Sequence, residues 1–264
     1  MLLALDTSTN TASIALVRDE RLVAELTWDV GQRHSAELLQ RLNWLLETAG
    51  AKPADLTEIA VATGPGSFNG VRVALSVAKS LCFALGARLA ACSTLDVAAW
   101  GYASAGDPVW ALLDAGRGEV YAAEYPSPST DAAAWIPVDG YLVLTPQALA
   151  ERITGRAFFC GEWRAETEAT VREALGERAR FASQLSTTRR AIWLAELAAA
   201  RLRDGRVENP ATIEPLYLRK PAITISKKAR IPLQDPHQPS IQAEATASQE
   251  QPAGSEDAPH ALRR

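Results

Sequence analysis

Strand and helix signals alternate along this chain in one order that occurs twice, and that order constrains the fold more than any single motif. Near the N-terminus, residues 2–6, 12–17 and 21–27 read as three short strands joined by the turns DTSTNT and RDER. Residues 35–49, SAELLQRLNWLLETA, then place Leu38, Leu39, Leu42, Leu45, Leu46 and Ala49 at helical spacing, with Gly50 as the stop. A strand at 58–63, the turn GPGSFNG, a helix over Phe68–Leu85, a strand at 88–91 and a helix opening at Ser93 or Thr94 complete the order βββαβαβα.

The order returns after SAGDP at 104–108. Strands are expected at 109–114 and 119–125, joined by AGRG, and at 141–144 before the helix TPQALAERI. A strand at 157–160, a helix at 164–175, a strand at 180–182 and a helix at 188–203, ended by Gly205, follow. Two lobes of one pattern, residues 1–104 and 105–223, imply a duplicated α/β fold. Residues 224–264 contain no aromatic side chain and are rich in Pro, Gln, Ala and Ser, so they are expected to form a disordered tail.

Lys and Arg total 27 against 31 Asp and Glu, a formal net charge of -4, so no global excess of positive charge advertises nucleic-acid affinity, although local basic patches stay open. No apolar run approaches the ~20 residues of a spanning helix, and MLLALDTST lacks the flanks of a signal peptide, so a cytoplasmic chain is expected. Cys82, Cys92 and Cys160 sit in apolar surroundings without metal or redox spacing and read as buried thiols.

GPGSFNG, residues 64–70, fails three catalytic templates by position. The dinucleotide fingerprint finds Asn69 at its third glycine, the Walker loop has no lysine, and the serine-hydrolase elbow meets Pro65 and Asn69 where glycines are needed. Two readings remain: backbone N–H groups at a helix start that receive an anion, with contacts from Gly66 and Ser67, or Ser67 acting as a helix cap beside glycines that permit the turn.

LLALDTST with its hairpin, RHSAELL opening the first helix and GPGSFNGVR before the second occur together and in order, extended by STLDVAAW, LLDAGRGEVYAAEY and PLYLRKP. Over residues 1–221 the chain resembles the bacterial TsaB family, formerly YeaZ. It departs from the usual wording at Asn69, Ala74 and Gly116, with Arg117 following. The resemblance implies a two-lobed actin-like and sugar-kinase-like fold with duplicated βββαβαβα units. It also implies a non-catalytic partner of the TsaD transferase, acting with the P-loop ATPase TsaE in threonylcarbamoylation of the tRNA adenosine next to the anticodon. On that reading tRNA is met only through the complex, the chain alone forms a homodimer, and no cofactor is its own, although ATP or ADP could be touched at the complex interface. The competing reading is an enzyme of the same fold, an ATP-dependent phosphotransferase or a metallopeptidase.

Catalytic members of the wider group bind metal through two histidines one helical turn apart. Here His34 stands at a helix start and His237 and His260 lie in the tail, so no such pair exists and no metal site is expected. In ATP-using relatives the first hairpin wraps phosphates, which makes Asp6, Thr7 and Ser8 candidate nucleotide contacts. The same side chains also serve Asx and ST turns. For partner docking, the resemblance implies the first two helices. The expected contacts are Leu38, Leu39, Leu42, Leu45 and Leu46 on the first, and Gly70, Val71, Ala74, Leu75 and Ala78 on the second, whose small residues Gly70, Ala74 and Ala78 would admit a neighbouring helix. The plainer alternative is that both helices are covered by their own lobe.

Overall fold

The computed structural model describes residues 1–30, 34–183 and 185–219, so the expected tail at 224–264 lies outside the described residues, as do Lys220 and Pro221. Side chains of residues 34–36, His34 among them, are likewise outside the description.

The sequence order becomes two five-stranded sheets. The first is built from β1 (Leu2–Asp6), β2 (Thr11–Arg18), β3 (Arg21–Asp29), β4 (Glu58–Ala62) and β5 (Arg88–Cys92), in the spatial order β3-β2-β1-β4-β5. The second is built from β6 (Val109–Gly116), β7 (Glu119–Tyr125), β8 (Leu142–Leu144), β9 (Ala157–Glu162) and β10 (Ala179–Phe181), in the order β10-β9-β6-β7-β8. Numbered within its own half, each sheet runs 3-2-1-4-5. The first strand is central, antiparallel to the second and parallel to the fourth. This is the duplicated α/β architecture of the actin-like and sugar-kinase-like fold. Every residue of β1 is buried, which is why LLALD reads as a continuous apolar run instead of an alternating one.

Among the described residues six α-helices cover these sheets: α1 (His34–Thr48), α2 (Phe68–Leu85), α3 (Thr94–Trp100), α4 (Pro146–Arg152), α5 (Ala165–Leu175) and α6 (Ala191–Arg203). Three apolar cores follow. One lies between the first sheet and α1 and α2, with Leu3, Leu5, Ile14, Leu16, Ile59 and Val61 facing out to the helices. A second lies between the other sheet and α4 and α5. The largest fills the middle, where α3 and α6 pack between the two sheets.

Helix α3, expected to open at Ser93 or Thr94, starts with a capping box at Ser93: its Oγ accepts from the Leu95 amide, and the Asp96 carboxylate accepts from the Ser93 amide. Asp96 is fully buried and carries a second load, accepting from the hydroxyls of Tyr125 (2.7 Å) and Tyr141 (2.8 Å) and pairing with Arg201 of α6 at 2.7 Å. These bonds tie β7 and Tyr141 of the second half to the central helices α3 and α6. Burial first, then the neighbouring Asp96 carboxylate, push both tyrosine hydroxyls above their usual range, so they stay protonated donors.

Helix α6 begins at Ala191 instead of 188. Its first amides are capped from a distance: Ala191 donates to Ser13 Oγ at 2.9 Å and Ile192 to Glu25 Oε1 at 3.0 Å. Local sequence has no access to these caps; Arg190 before the helix is extended, and Arg189 reaches the first hairpin. The cysteines are buried as expected, and burial raises the Cys92 thiol to about 12.

Helix α2 is the one helix among the described residues long and apolar enough to cross a membrane by length and composition. Here Gly70, Val71, Ala74, Leu75, Ala78 and Cys82 form its buried face against the first sheet.

Candidate functional site

The end of β1 and the GPGSFNG turn meet at one point. Asp6, Thr7 and Ser8 are each 0–1% exposed. Asp6 Oδ1 accepts from the Ser8 amide at 2.9 Å and also from the Ser8 hydroxyl, a closed Asx turn. Thr7 Oγ1 donates to Gly70 O at 2.6 Å, pinning the hairpin to the first turn of α2, and the Ser67 amide donates to Ser8 O at 2.6 Å. Ser67 Oγ accepts from the Gly70 amide at 3.2 Å. A Cβ on Gly66 would stand 2.0 Å from Ser8 O, so only glycine permits this approach of turn to hairpin. Gly64 O accepts from the Thr94 amide at 2.8 Å, adding the start of α3 to the junction. GPGSFNG is thus where β4, the first hairpin, α2 and α3 are fastened together.

Arg189, 1% exposed, closes the cleft side of that hairpin. Its Nε pairs with Asp6 Oδ2 at 3.0 Å, a second nitrogen pairs with Glu162 of β9, and the third donates to Thr9 Oγ1 at 3.0 Å and Ser8 Oγ at 3.3 Å. Thr9 Oγ1 also donates to Glu162 at 3.0 Å, so the contact crosses from one sheet to the other. Burial opposes the guanidinium's charge, but Asp6 and Glu162 outweigh it and push its pKa further up, so the cation is permanent.

The nucleotide and its magnesium, which ATP-using relatives hold at this hairpin, do not fit it as it stands. The Asp6 carboxylate that would face the cation has both oxygens occupied and is neutralised by Arg189. The Thr7 and Ser8 hydroxyls donate to protein acceptors, and the Ser67 amide is committed to Ser8 O. An incoming phosphate would have to displace these bonds. The second hairpin is looser: Asp114 accepts from the Gly116 amide at 3.0 Å and pairs with Arg164 at 2.8 Å, with both side chains partly in solvent.

Burial divides the expected docking residues. Leu38, Leu42, Leu45, Leu46, Gly70, Val71, Ala74, Leu75 and Ala78 all lie inside, packed against the first sheet, and of the ten expected contacts only Leu39 faces out, at 58% exposed. The small-residue row is inward because α2 approaches β1 closely enough for Thr7 to reach Gly70 O. What faces outward is carried by the flanks of the helices. Glu37, Arg41 and Trp44 of α1 line a groove with Leu26 of β3, which by helical spacing leaves Leu39 on the opposite flank, toward α2. Arg72, Ser76 and Lys79 of α2 line a groove with Ile213 and Tyr217, which leaves Val73, Val77, Leu81 and Ala84 on the flank toward α1. Leu39 with Val73, Val77, Leu81 and Ala84 therefore forms an aliphatic seam along the α1–α2 groove, with Leu39 and Ala84 exposed and the other three half-buried.

Arg189 and Glu162 were missed by sequence reading. Nothing in TTRR at 187–190 marks one arginine as buried; only the distant carboxylates of Asp6 and Glu162 select it.

The TsaD family model, tRNA N6-adenosine threonylcarbamoyltransferase, matches residues 29–139. The tRNA threonylcarbamoyladenosine biosynthesis protein TsaB of Escherichia coli (strain K12) is 34% identical over 167 residues, 61% of this chain and 68% of the relative. Its namesake in Bacillus subtilis (strain 168) is 36% identical over 124 residues, covering 47% of this chain and 54% of the relative. The solved structure of YeaZ from Pseudomonas aeruginosa superposes with a TM-score of 0.67 at 29% identity, covering 82% of this chain and 99% of that one.

Proposed function

The chain belongs to the TsaB family and takes part in tRNA threonylcarbamoyladenosine biosynthesis, and we propose that its part is a non-catalytic one: a scaffold that binds and activates the TsaD transferase, together with the ATPase TsaE, in the cytoplasm. The observation that carries the non-catalytic half of this reading is Arg189. A buried guanidinium stands on the carboxylate that an enzyme of this fold would turn toward its nucleotide, and it ties that carboxylate to the opposite sheet. A phosphotransferase reading needs that carboxylate free. The metallopeptidase reading needs two histidines one helical turn apart, and the three histidines of the sequence, His34, His237 and His260, supply no such spacing.

The docking half of the reading rests on the seam. Aliphatic side chains that remain partly exposed in a groove between two helices offer a partner's helix pair a surface to bury. The TsaD family model matches the stretch that includes α1 and α2, which supports a pairing of like with like, in which two helices of each subunit form a four-helix contact. In the absence of TsaD the same seam pairs two copies of this chain.

Size-exclusion chromatography of the chain with TsaD tests the seam. Leu39→Glu and Ala84→Arg, both at exposed positions, are expected to abolish co-elution while leaving the melting temperature within roughly 2 °C of wild type. Unchanged co-elution of the double variant would remove the seam as the interface.

A further inference from the structure

We propose that the other flank of α2, facing away from the seam, is an RNA-binding strip that holds a phosphate backbone on Arg72 and Lys79 and an unpaired base on Tyr217. The inference rests on the tRNA-modifying role proposed above but adds a contact made by this chain directly, instead of only through its partner.

The chain as a whole is acidic, at -4, yet α2 carries two charged side chains over its 18 residues, Arg72 and Lys79, both cationic. They stand seven residues apart, two helical turns, on one flank. Among the described residues neither has an ion-pair partner. Arg72 is exposed and spends its guanidinium on neutral groups, lying 4.1 Å over the Phe68 ring and donating from Nε to the Tyr217 hydroxyl at 3.1 Å. Lys79 makes no ion pair among the described residues. Between α2 and residues 213–217 these side chains border an open groove of about 470 Å³, with Glu214 as the acid in its lining.

The aromatic component is adjacent. Phe68 (41% exposed) and Tyr217 (39% exposed) stack at 5.5 Å between centroids, and Arg72 holds both. A tyrosine braced on one side by another ring, and still open to solvent, is a rigid platform for a base. Stacking platforms beside unpaired cations are how proteins hold single-stranded nucleic acid without reading its sequence. The chain then continues from Tyr217 into a basic stretch: residues 220–230, KPAITISKKAR, contain Lys220, Lys227, Lys228 and Arg230 and no acid. An acidic peptide would satisfy the cations but leave the open ring without a partner of its own kind, so the combination favours RNA.

The test is fluorescence anisotropy of the full chain with a labelled, unmodified tRNA transcript, across a salt series. Wild type is expected to bind, and Arg72→Glu/Lys79→Glu to bind at least about 10-fold more weakly, with a shallower salt dependence because about two phosphate contacts are gone. Tyr217→Phe, which keeps the ring, is expected to bind within about 2-fold of wild type, whereas Tyr217→Ala loses about 5-fold or more. No tRNA binding by wild type, or binding unchanged in the double charge reversal, overturns the proposal. So does equal loss in Tyr217→Phe and Tyr217→Ala. Co-elution with TsaD separates this from the seam: the charge reversal is expected to co-elute normally, and Leu39→Glu/Ala84→Arg to bind tRNA normally. Loss of tRNA binding in the seam variant instead would transfer the RNA contact to the seam and overturn the strip.

Discussion

Asp6 and Asp114 each close the apolar run of the first strand in their half, LLALD and WALLD, yet their side chains are 2% and 36% exposed. Both are paired with an arginine at about the same distance, 3.0 and 2.8 Å. Arg189 is buried and shared with Glu162 across the cleft; Arg164 is 60% exposed and serves Asp114 from the surface. Duplication supplied the same hairpin twice, and only the first has been closed from inside. The difference shows how one hairpin of a duplicated pair can be closed: a guanidinium from its own chain occupies the carboxylate that would otherwise face a metal cation.

The largest expected effect breaks the closed hairpin. Arg189→Met leaves Asp6 buried without a counter-charge and should lower unfolding free energy by about 3–5 kcal/mol in a denaturant titration. Adding Asp6→Asn should recover part of the loss, since it removes the stranded charge. Gly66→Ala comes next, because its Cβ would overlap Ser8 O; a loss of about 1–3 kcal/mol is expected, with the hairpin and α2 amides exchanging hydrogen fastest. At the open hairpin, a double-mutant cycle on Asp114 and Arg164 should return a coupling of about 0–1 kcal/mol. A coupling as large as that of Asp6 and Arg189 would erase the contrast between the two halves.

The smallest effect lies on the surface of the second half. The Trp163 indole N–H donates to Glu168 at 2.9 Å and, against the opposing effect of partial burial and with help from Arg172, holds that carboxyl below its ordinary range. A depressed folded pKa contributes stability that is present above the ordinary carboxylate range and is lost as pH falls through the folded value. Glu168→Gln should therefore cost under ~1 kcal/mol at neutral pH, and the difference from wild type should vanish in acid.

Much of the fold was legible because the signals were local. Central strands buried on both faces read as unbroken apolar runs, the opening of α3 at Ser93 or Thr94 was read to within a residue, and the repeat was visible as one order of elements. The start of α6 was not legible, since its caps, Ser13 and Glu25, lie more than 160 residues away. Which of the expected docking residues stay exposed was not legible for a different reason. Helical periodicity identifies an apolar stripe, but a stripe that meets its own sheet and one that meets a partner have the same spacing. The stripe through Leu38, Leu42, Ala74 and Ala78 is the covered one; Leu39, on its margin, is what the fold leaves over.

Reconstituted tRNA modification measures the scaffold claim most directly: TsaD, TsaE, ATP, threonylcarbamoyl-AMP and unmodified tRNA, with this chain present, omitted, or replaced by Leu39→Glu/Ala84→Arg. Modification is expected only with the wild-type chain, and an equal rate when the chain is omitted would contradict the account.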